Sequence, residues 1–209
     1  MTEPAYPYYY PNKMGRIILQ AIEEILGHNG LNAVLNQSRQ SHLINNYPPN
    51  NPERLFSFQS ISAIYAALEE MYGPRGGQGV AIRCGRVSFK FILRELGPDI
   101  GLSDPAFRLL PPHTKILEGL TILANAFTQS SDQSVRVEET EADYLWHIER
   151  CPICWGRHST TPVCHAEVGM LQEALYWVSG GKFYYVEEIL CIARGDATCA
   201  IRIDKDPLE

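Results

Sequence analysis

Cysteines in the last quarter of the chain constrain the fold more than any other feature of the sequence. Glu188, Cys191 and Cys199 follow the spacing Glu-x2-Cys-x7-Cys, and Cys164 lies upstream at the start of a helix-like segment. Three thiolates and one carboxylate can complete a tetrahedral zinc site. This sulfur-rich donor set suits zinc better than calcium or magnesium. A fold that uses the set must bring Cys164 against the segment that carries the other three residues.

That segment is predicted to form two antiparallel strands joined by a short turn. In the simplest register Cys191 opposes Cys199, and their Cβ atoms are ~5 Å apart on one face. Glu188 lies three residues before Cys191, so a regular strand would point its side chain to the other face. We therefore expect a bulge if Glu188 binds a metal. The alternatives are three buried thiols beside a surface glutamate, or a disulfide between Cys191 and Cys199.

A second pair of cysteines, Cys151 and Cys154, forms a Cys-Pro-Ile-Cys motif with His158 and His165 nearby. Such a motif can be part of a zinc site, a redox pair or half of the ligand set of an iron–sulfur cluster. We favour a structural or metal-linked role, and ligands shared between the two sets remain an open alternative. Cys84 is isolated in sequence and is predicted to be a small buried apolar residue.

The rest of the chain predicts an α+β fold. Apolar residues recur at helical spacing through the first two thirds of the chain, and alternation typical of strands begins near residue 134. We expect N-terminal helices followed by an antiparallel four-stranded sheet with packed helices. The predicted parts are an irregular arm at 1–12, a helical extension at 13–73 and a main domain at 79–205. The glycine-rich stretch 73–79 lacks the Lys-Ser/Thr ending of a phosphate loop and is predicted to be a flexible connection.

Composition excludes several functional classes. The chain has 209 residues, 45% of them hydrophobic, and a formal net charge of −6. This charge argues against a nucleic-acid-binding surface, which is usually basic. No stretch approaches the ~18 apolar residues of a membrane span, and no signal peptide is visible. We expect a cytoplasmic protein whose six cysteines are thiols or metal ligands rather than disulfides.

The segment 161–203 also carries a specific motif, EEILCIARGDATC. With it, the segment resembles the 4-vinyl-reductase domain family. The matching residues are Pro162-Val-Cys164, Gly169, the helix end near Trp177, Val186-Glu-Glu188, Cys191, Ala193-Arg-Gly-Asp196, Cys199 and Ile201. Residues 79–149 match the family's helical first half loosely, and residues 1–72 lie outside the match.

The resemblance implies a mixed α/β ligand-binding fold, shared distantly with Golgi-transport (vesicle-tethering) subunits and haem-based nitric-oxide sensors. In related sensors of aromatic effectors, zinc is bound by a Cys, Glu, Cys, Cys set. The equivalents here are Cys164, Glu188, Cys191 and Cys199, with Glu187 as an alternative carboxylate. Other relatives are linked to bacteriochlorophyll synthesis.

Our first hypothesis is a zinc-stabilised binding or sensor protein for a small hydrophobic or aromatic molecule, such as a hydrocarbon or a tetrapyrrole. Pockets for such ligands are mostly apolar with a few polar groups. The candidate lining residues are Tyr144, Trp146, His147, Tyr176, Trp177, Phe183 and Tyr185.

The alternatives are an enzyme and a scaffold. A reductase acting on a tetrapyrrole vinyl group would need a cofactor, and the sequence has no dinucleotide fingerprint. An iron–sulfur cluster or haem would favour that alternative, whereas a closed zinc site favours binding over catalysis. The apolar stripes of the N-terminal helices also predict a homodimer that forms through helices. Since the chain carries no DNA-binding or ATPase segment, a regulatory output would pass through a protein partner.

Overall fold

The computed structural model describes residues 7–102 and 104–208. Its α-helices are α1 (Asn12–Gln37), α2 (Phe58–Leu96), α3 (Pro105–Arg108), α4 (Pro112–Ser130) and α5 (His165–Val178). Its strands are β1 (Tyr9–Pro11), β2 (Arg54–Ser57), β3 (Val135–Glu139), β4 (Asp143–Ile148), β5 (Tyr184–Leu190) and β6 (Cys199–Pro207). Short 3₁₀ helices lie at Ser41–Leu43 and Ile192–Arg194. No helix among these residues is long and apolar enough to cross a membrane.

The C-terminal strands form a four-stranded antiparallel sheet in the order β3-β4-β6-β5. One face is mostly apolar and buried, with Trp146 of β4 paired to Ile201 of β6. The other face carries charged side chains such as Arg202 and Glu187, which form an ion pair. The predicted α+β architecture, helices first and then an antiparallel four-stranded sheet with packed helices, is confirmed.

Helices α2 and α5 cross at close range because glycine stands at the contact on each side. A Cβ atom on Gly85 of α2 would lie 1.9 Å from the carbonyl oxygen of Ala166. A Cβ atom on Gly169 of α5 would lie 2.0 Å from the carbonyl oxygen of Ile82. Close packing of the two backbones therefore fixes how α5 lies against the N-terminal helices.

The glycine-rich stretch 73–79 differs from its prediction. Gly73 alone is non-helical, with φ of 71°, a value that favours glycine. Helical structure resumes directly at Pro74, because proline suits the first turn of a helix. The predicted flexible connection is therefore a one-residue break within α2, and this helix runs across the predicted boundary between the extension and the main domain.

Part of the predicted N-terminal arm is ordered structure. Strand β1 pairs with β2, so residues 9–11 are not irregular. Tyr8 and Tyr10 pack against Phe58, and their ring centroids lie 5.9 and 5.4 Å from the Phe58 centroid, respectively. Residues 1–6 of the predicted arm lie outside the described residues. The described tyrosines thus contribute to the core of their own chain.

Candidate metal centre and adjacent cavity

Five cysteines and one glutamate meet in a buried cluster between the sheet and the start of α5. They come from the loop after β4, the residue that precedes α5, the end of β5 and the first residue of β6. We call this the thiol cluster; its members are Cys151, Cys154, Cys164, Glu188, Cys191 and Cys199. The structure therefore brings all four predicted zinc ligands together and adds the Cys-Pro-Ile-Cys pair to them.

The spacing of the sulfur atoms suits a metal ion. The Sγ atoms of Cys151 and Cys164 are 3.4 Å apart, and those of Cys164 and Cys199 are 3.8 Å apart. A tetrahedral zinc with Zn–S bonds of ~2.3 Å places its sulfurs ~3.8 Å from one another. The donor atoms form two groups of four, each within 4.8 Å. Neither His158 nor His165 belongs to either group.

Glu188 has the environment of a metal ligand. Its Oε2 atom accepts a hydrogen bond of 2.7 Å from the backbone N–H of Cys164, and its buried Oε1 atom has no hydrogen-bond partner among the described residues. Burial raises the pKa of this carboxyl to about 9. A buried carboxylate oxygen without a partner is costly unless a cation or proton compensates it. Glu187 points to the opposite face and pairs with Arg202 at 3.1 Å, so Glu188 is the carboxylate of the cluster.

Strand β5 contains the irregularity that the position of Glu188 requires. Glu188 pairs with Ile201 and Leu190 pairs with Ala200, so the register shifts between them. This shift is the bulge expected from the sequence. It allows Glu188 on the strand and Cys191 just beyond it to reach the same cluster.

The simple hairpin register of Cys191 opposite Cys199 is wrong. Strand β5 ends at Leu190, and Cys191 precedes the 3₁₀ helix instead of pairing within the sheet. Cys199 pairs with Ile148 of β4. The turn brings the two cysteines together by another route, since the backbone N–H of Ile192 donates to the Sγ atom of Cys199 at 3.3 Å. The cysteines of the cluster are free thiols in the structure.

Electrostatics of the thiol cluster also favours a cation. Burial raises the pKa of the Cys164 thiol well above its ordinary value. Several thiolates and a carboxylate a few ångströms apart cannot all be charged without a compensating charge, because like charges repel and the site is dry. A divalent metal ion provides that compensation. The residues present therefore fit a zinc ion.

The aromatic residues predicted to line a pocket are not brought together around one cavity. Tyr144 and Trp146 are buried in the core on the helix-facing side of β4. His147 lies on the opposite face, 3.3 Å from Glu138, because side chains alternate along a strand. Tyr185 of β5 also lies on that face, beneath the guanidinium of Arg202.

The remaining predicted pocket residues lie at the far end of α5. Trp177 stacks on Phe107 and, with it, lines a separate groove of about 460 Å³. Tyr176 and Phe183 pair at the surface, with ring centroids 5.0 Å apart, and Phe183 is 58% exposed.

A different, smaller cavity of about 40 Å³ lies between β1, α1, α2, α4 and α5. Its walls are mostly apolar and include Ile18, Ile92 and Met170. Pro152 and Ile153, the two central residues of the Cys-Pro-Ile-Cys motif, also line it. The same four-residue motif therefore contributes thiols to the cluster and a wall to the cavity. We call this space the inner cavity.

The polar side chains that line the inner cavity are those of Ser88 and Glu167 and the phenols Tyr10 and Tyr65. The Ser88 hydroxyl is buried, and no group in the part of the chain that the structure describes forms a hydrogen bond with it. Glu167 accepts a hydrogen bond of 3.2 Å from Trp146 Nε1, and burial raises the pKa of its carboxyl to about 7. Neither Ser88 nor Glu167 is among the pocket residues predicted from the sequence. The sequence carries a signal for Ser88, which is a polar residue at helical spacing from the buried apolar residues Ala81, Cys84 and Ile92.

Comparison with known proteins shows the fold. No family model and no curated protein matches the chain. Among solved structures, an H-NOX protein from S. oneidensis in the Fe(II)NO ligation state has a TM-score of 0.56 and 12% identity, over 93% of this chain and 99% of that one. The Fe(II) unliganded H-NOX protein from K. algicida has a TM-score of 0.55 and 12% identity, over 95% of this chain and 97% of that one.

An H-NOX mutant from T. Tengcongensis gives a TM-score of 0.57 and 10% identity, over 92% of this chain and 96% of that one. These alignments cover nearly the whole length of each protein. The chain therefore shares the fold of the H-NOX proteins.

Proposed function

We propose that the protein is a metal-stabilised binding or sensor protein for a small, mainly apolar ligand held in the inner cavity. The observation that carries the proposal is the Cys-Pro-Ile-Cys loop. Cys151 and Cys154 lie in the thiol cluster, and Pro152 and Ile153 between them line the cavity. A metal bound at the cluster would fix the start of α5, and it would hold the two sulfurs, of Cys164 and Cys199, that contact this loop. The fold supports the proposal, since H-NOX structures include Fe(II)NO and Fe(II) unliganded states.

The metal at this centre would be structural zinc, held by the predicted set Cys164, Glu188, Cys191 and Cys199. Zinc with four protein ligands has no open position and stabilises folded structure instead of activating water. Bound there, it would join β5, β6 and the start of α5. The motif shared by this segment and the 4-vinyl-reductase domain supports membership of that family. A reducing compartment such as the cytoplasm would keep the thiols able to bind metal.

Chemistry of the inner cavity indicates the ligand class. Apolar walls favour a hydrocarbon or an aromatic ring, and the unpartnered Ser88 hydroxyl can bond one polar substituent. A cavity of about 40 Å³ has room for little more than one water-sized group, so a single aromatic ring requires its walls to open, and a tetrapyrrole requires a far larger movement of the helices. We therefore favour a single-ring aromatic or a short hydrocarbon. The larger groove beside Trp177 contains no residue of the thiol cluster.

The proposal is tested by the thermal stability of the zinc-loaded protein with a panel of phenol, indole, toluene and short alkanols. A ligand at 100 times its Kd stabilises the folded state by about 2.7 kcal/mol, which is a clear rise in Tm. Ser88→Leu fills the inner cavity and should abolish the rise. Ser88→Ala keeps the cavity open and should weaken only the ligands with a polar group.

Two outcomes would contradict the proposal. One is that no member of the panel raises the Tm of the wild-type protein. The other is that Ser88→Leu, folded by circular dichroism, binds as tightly as the wild type.

We also propose that two copies associate and that a protein partner receives the signal. The apolar stripes of the N-terminal helices, such as Ile17 and Ile61, are buried in the core of their own chain, so the exposed pair of Tyr176 and Phe183 at one end of α5 offers the apolar contact instead. Sedimentation equilibrium should give twice the mass of the chain. A monomer at micromolar concentration would contradict the homodimer.

A further inference from the structure

Two groups of possible metal ligands share two of their members. One group contains Cys151 and Cys154, the other contains Glu188 and Cys191, and both contain Cys164 and Cys199. We propose that the thiol cluster is a two-metal centre in which the Cys164 and Cys199 sulfurs bridge two zinc ions. Each ion would have four ligands, two of its own and two shared. This inference deepens the proposed function and rests on its metal binding.

The sulfur distances suit a shared edge and the tetrahedron on the side of Cys151 and Cys154, and the donor atoms of the second group also lie within 4.8 Å of one another. The shared edge, from Cys164 Sγ to Cys199 Sγ, is 3.8 Å. It equals the ~3.8 Å separation of two sulfurs bound to one zinc at ~2.3 Å. On the side of the first ion, Cys151 lies 3.4 Å from Cys164 and Cys154 lies 3.4 Å from Cys199. Each bridging sulfur thus contacts one cysteine of the Cys-Pro-Ile-Cys pair.

A single ion would leave buried donors unused. With one ion in the group that contains Glu188, Cys151 and Cys154 would stay as buried thiols against bound thiolates. With one ion among the four cysteines, the buried Glu188 Oε1 atom would keep no partner. Such orphaned polar atoms are costly in a dry site. Two ions use every donor of the cluster.

Charge leads to the same arrangement. Five thiolates and one carboxylate carry six negative charges, and two divalent ions offset four of them. The remaining charge equals that of one zinc bound by four thiolates, which is a common structural site. A single ion with the same donors all ionised would leave twice that charge in a buried place. The protein would otherwise have to keep two of these donors protonated.

The test is metal content by plasma mass spectrometry, together with the ¹¹³Cd NMR spectrum of the cadmium-substituted full-length protein. We expect two zinc ions per chain and two ¹¹³Cd signals of equal intensity, coupled through the bridging sulfurs. The wild-type spectrum needs no variant, so the result does not depend on a mutant that fails to fold.

A double variant, Cys151→Ser with Cys154→Ser, should keep one ion, which is then held by the group that contains Glu188. One zinc per wild-type chain with a single ¹¹³Cd signal would overturn the two-metal centre and leave the proposed function standing. No bound metal, or iron with a visible absorption band, would overturn both this inference and the zinc part of the proposed function.

Discussion

The thiol cluster and the inner cavity share a wall but are built in opposite ways. The cluster draws its donors from one stretch of the chain, between Cys151 and Cys199, and consists of residue types that are rare and chemically specific. The cavity draws its lining from Tyr10 to Met170 and consists of common apolar residues. A metal site can therefore be recognised from spacing, whereas a cavity of this kind becomes visible only when distant helices pack.

The two regions also differ in what depends on them. The cluster contains the thiols of the Cys-Pro-Ile-Cys loop and of the residue before α5, and this loop and the first turn of α5 both line the cavity. Damage to the cluster should therefore reach the cavity, and changes within the cavity should leave the cluster intact.

Loss of a shared ligand should have the largest effect. Cys164→Ser removes a donor that belongs to both groups. Structural zinc contributes apparent binding free energies of ~10–16 kcal/mol, which is as large as the total stability of a typical domain. We expect Cys164→Ser to lose its zinc and its cooperative unfolding transition. Circular dichroism and metal analysis on the same sample test this result.

Cys84→Ala is the matched control, because Cys84 is buried outside the cluster. It should keep its zinc and cost only about 1 kcal/mol of unfolding free energy. Equal stability of the two variants would show that the cluster does not hold the fold together.

Glu167 at the inner cavity should make the stability of the folded protein depend on pH. Burial raises the pKa of this carboxyl from 4.5 to about 7. As the pH rises through this range, the unfolded chain loses its proton before the folded protein does, so stability falls. The loss from pH 4.5 to 7 amounts to roughly 3 kcal/mol, at 1.36 kcal/mol per pKa unit.

Glu167→Gln keeps the acceptor for Trp146 Nε1 and removes the titration. Urea unfolding of both proteins between pH 5 and 8 should show that the unfolding free energy of the wild type falls more steeply with pH than that of Glu167→Gln. Metal release affects both proteins alike and cancels in the difference. Parallel curves would mean that Glu167 is not buried as described.

The close contact between α2 and α5 should leave no room for an added methyl group. Gly169→Ala would place its Cβ atom 2.0 Å from the Ile82 carbonyl oxygen and push the helices apart. We expect a loss of about 1–3 kcal/mol in unfolding free energy. Gly79→Ala is the control, since a Cβ atom there meets nothing within 4 Å and alanine favours a helix. A Gly169→Ala protein as stable as Gly79→Ala would rule out this close packing.

The smallest expected effect separates two adjacent glutamates. Glu188→Gln removes a ligand charge and should weaken zinc binding at least tenfold, or about 1.4 kcal/mol. Glu187→Gln removes only a surface ion pair with Arg202, which is worth at most about 1 kcal/mol of stability. Competition with a chromophoric chelator measures both affinities. A weaker affinity in Glu187→Gln alone would reverse the assignment of the carboxylate.

Local sequence patterns predicted much of the fold and part of the thiol cluster. The periodicity of apolar residues predicted the helices and the antiparallel sheet. The spacing around Cys191 predicted four of the six residues that meet in the cluster, together with the bulge beside Glu188. Alternation along β5 then separates Glu188 from Glu187.

Long-range packing explains what the sequence did not predict. Pairing of β4 with β6 brings Cys154 to Cys199, 45 positions away, and no local pattern encodes that approach. The 3₁₀ turn after Leu190 replaced a regular hairpin because the chain bends toward the cluster. The predicted aromatic pocket failed to assemble because strand alternation sends Trp146 and His147 to opposite faces.

Amide hydrogen exchange of the zinc-loaded and chelator-treated protein tests the central claim that the thiol cluster is a metal centre that holds the cavity wall. We predict much faster exchange after chelation at Ile153, Cys154 and the first turn of α5, with α1 less affected. Loss of ligand binding should accompany this change. A protein that contains no metal, or that exchanges at the same rate in this loop after its metal is removed, would contradict the account.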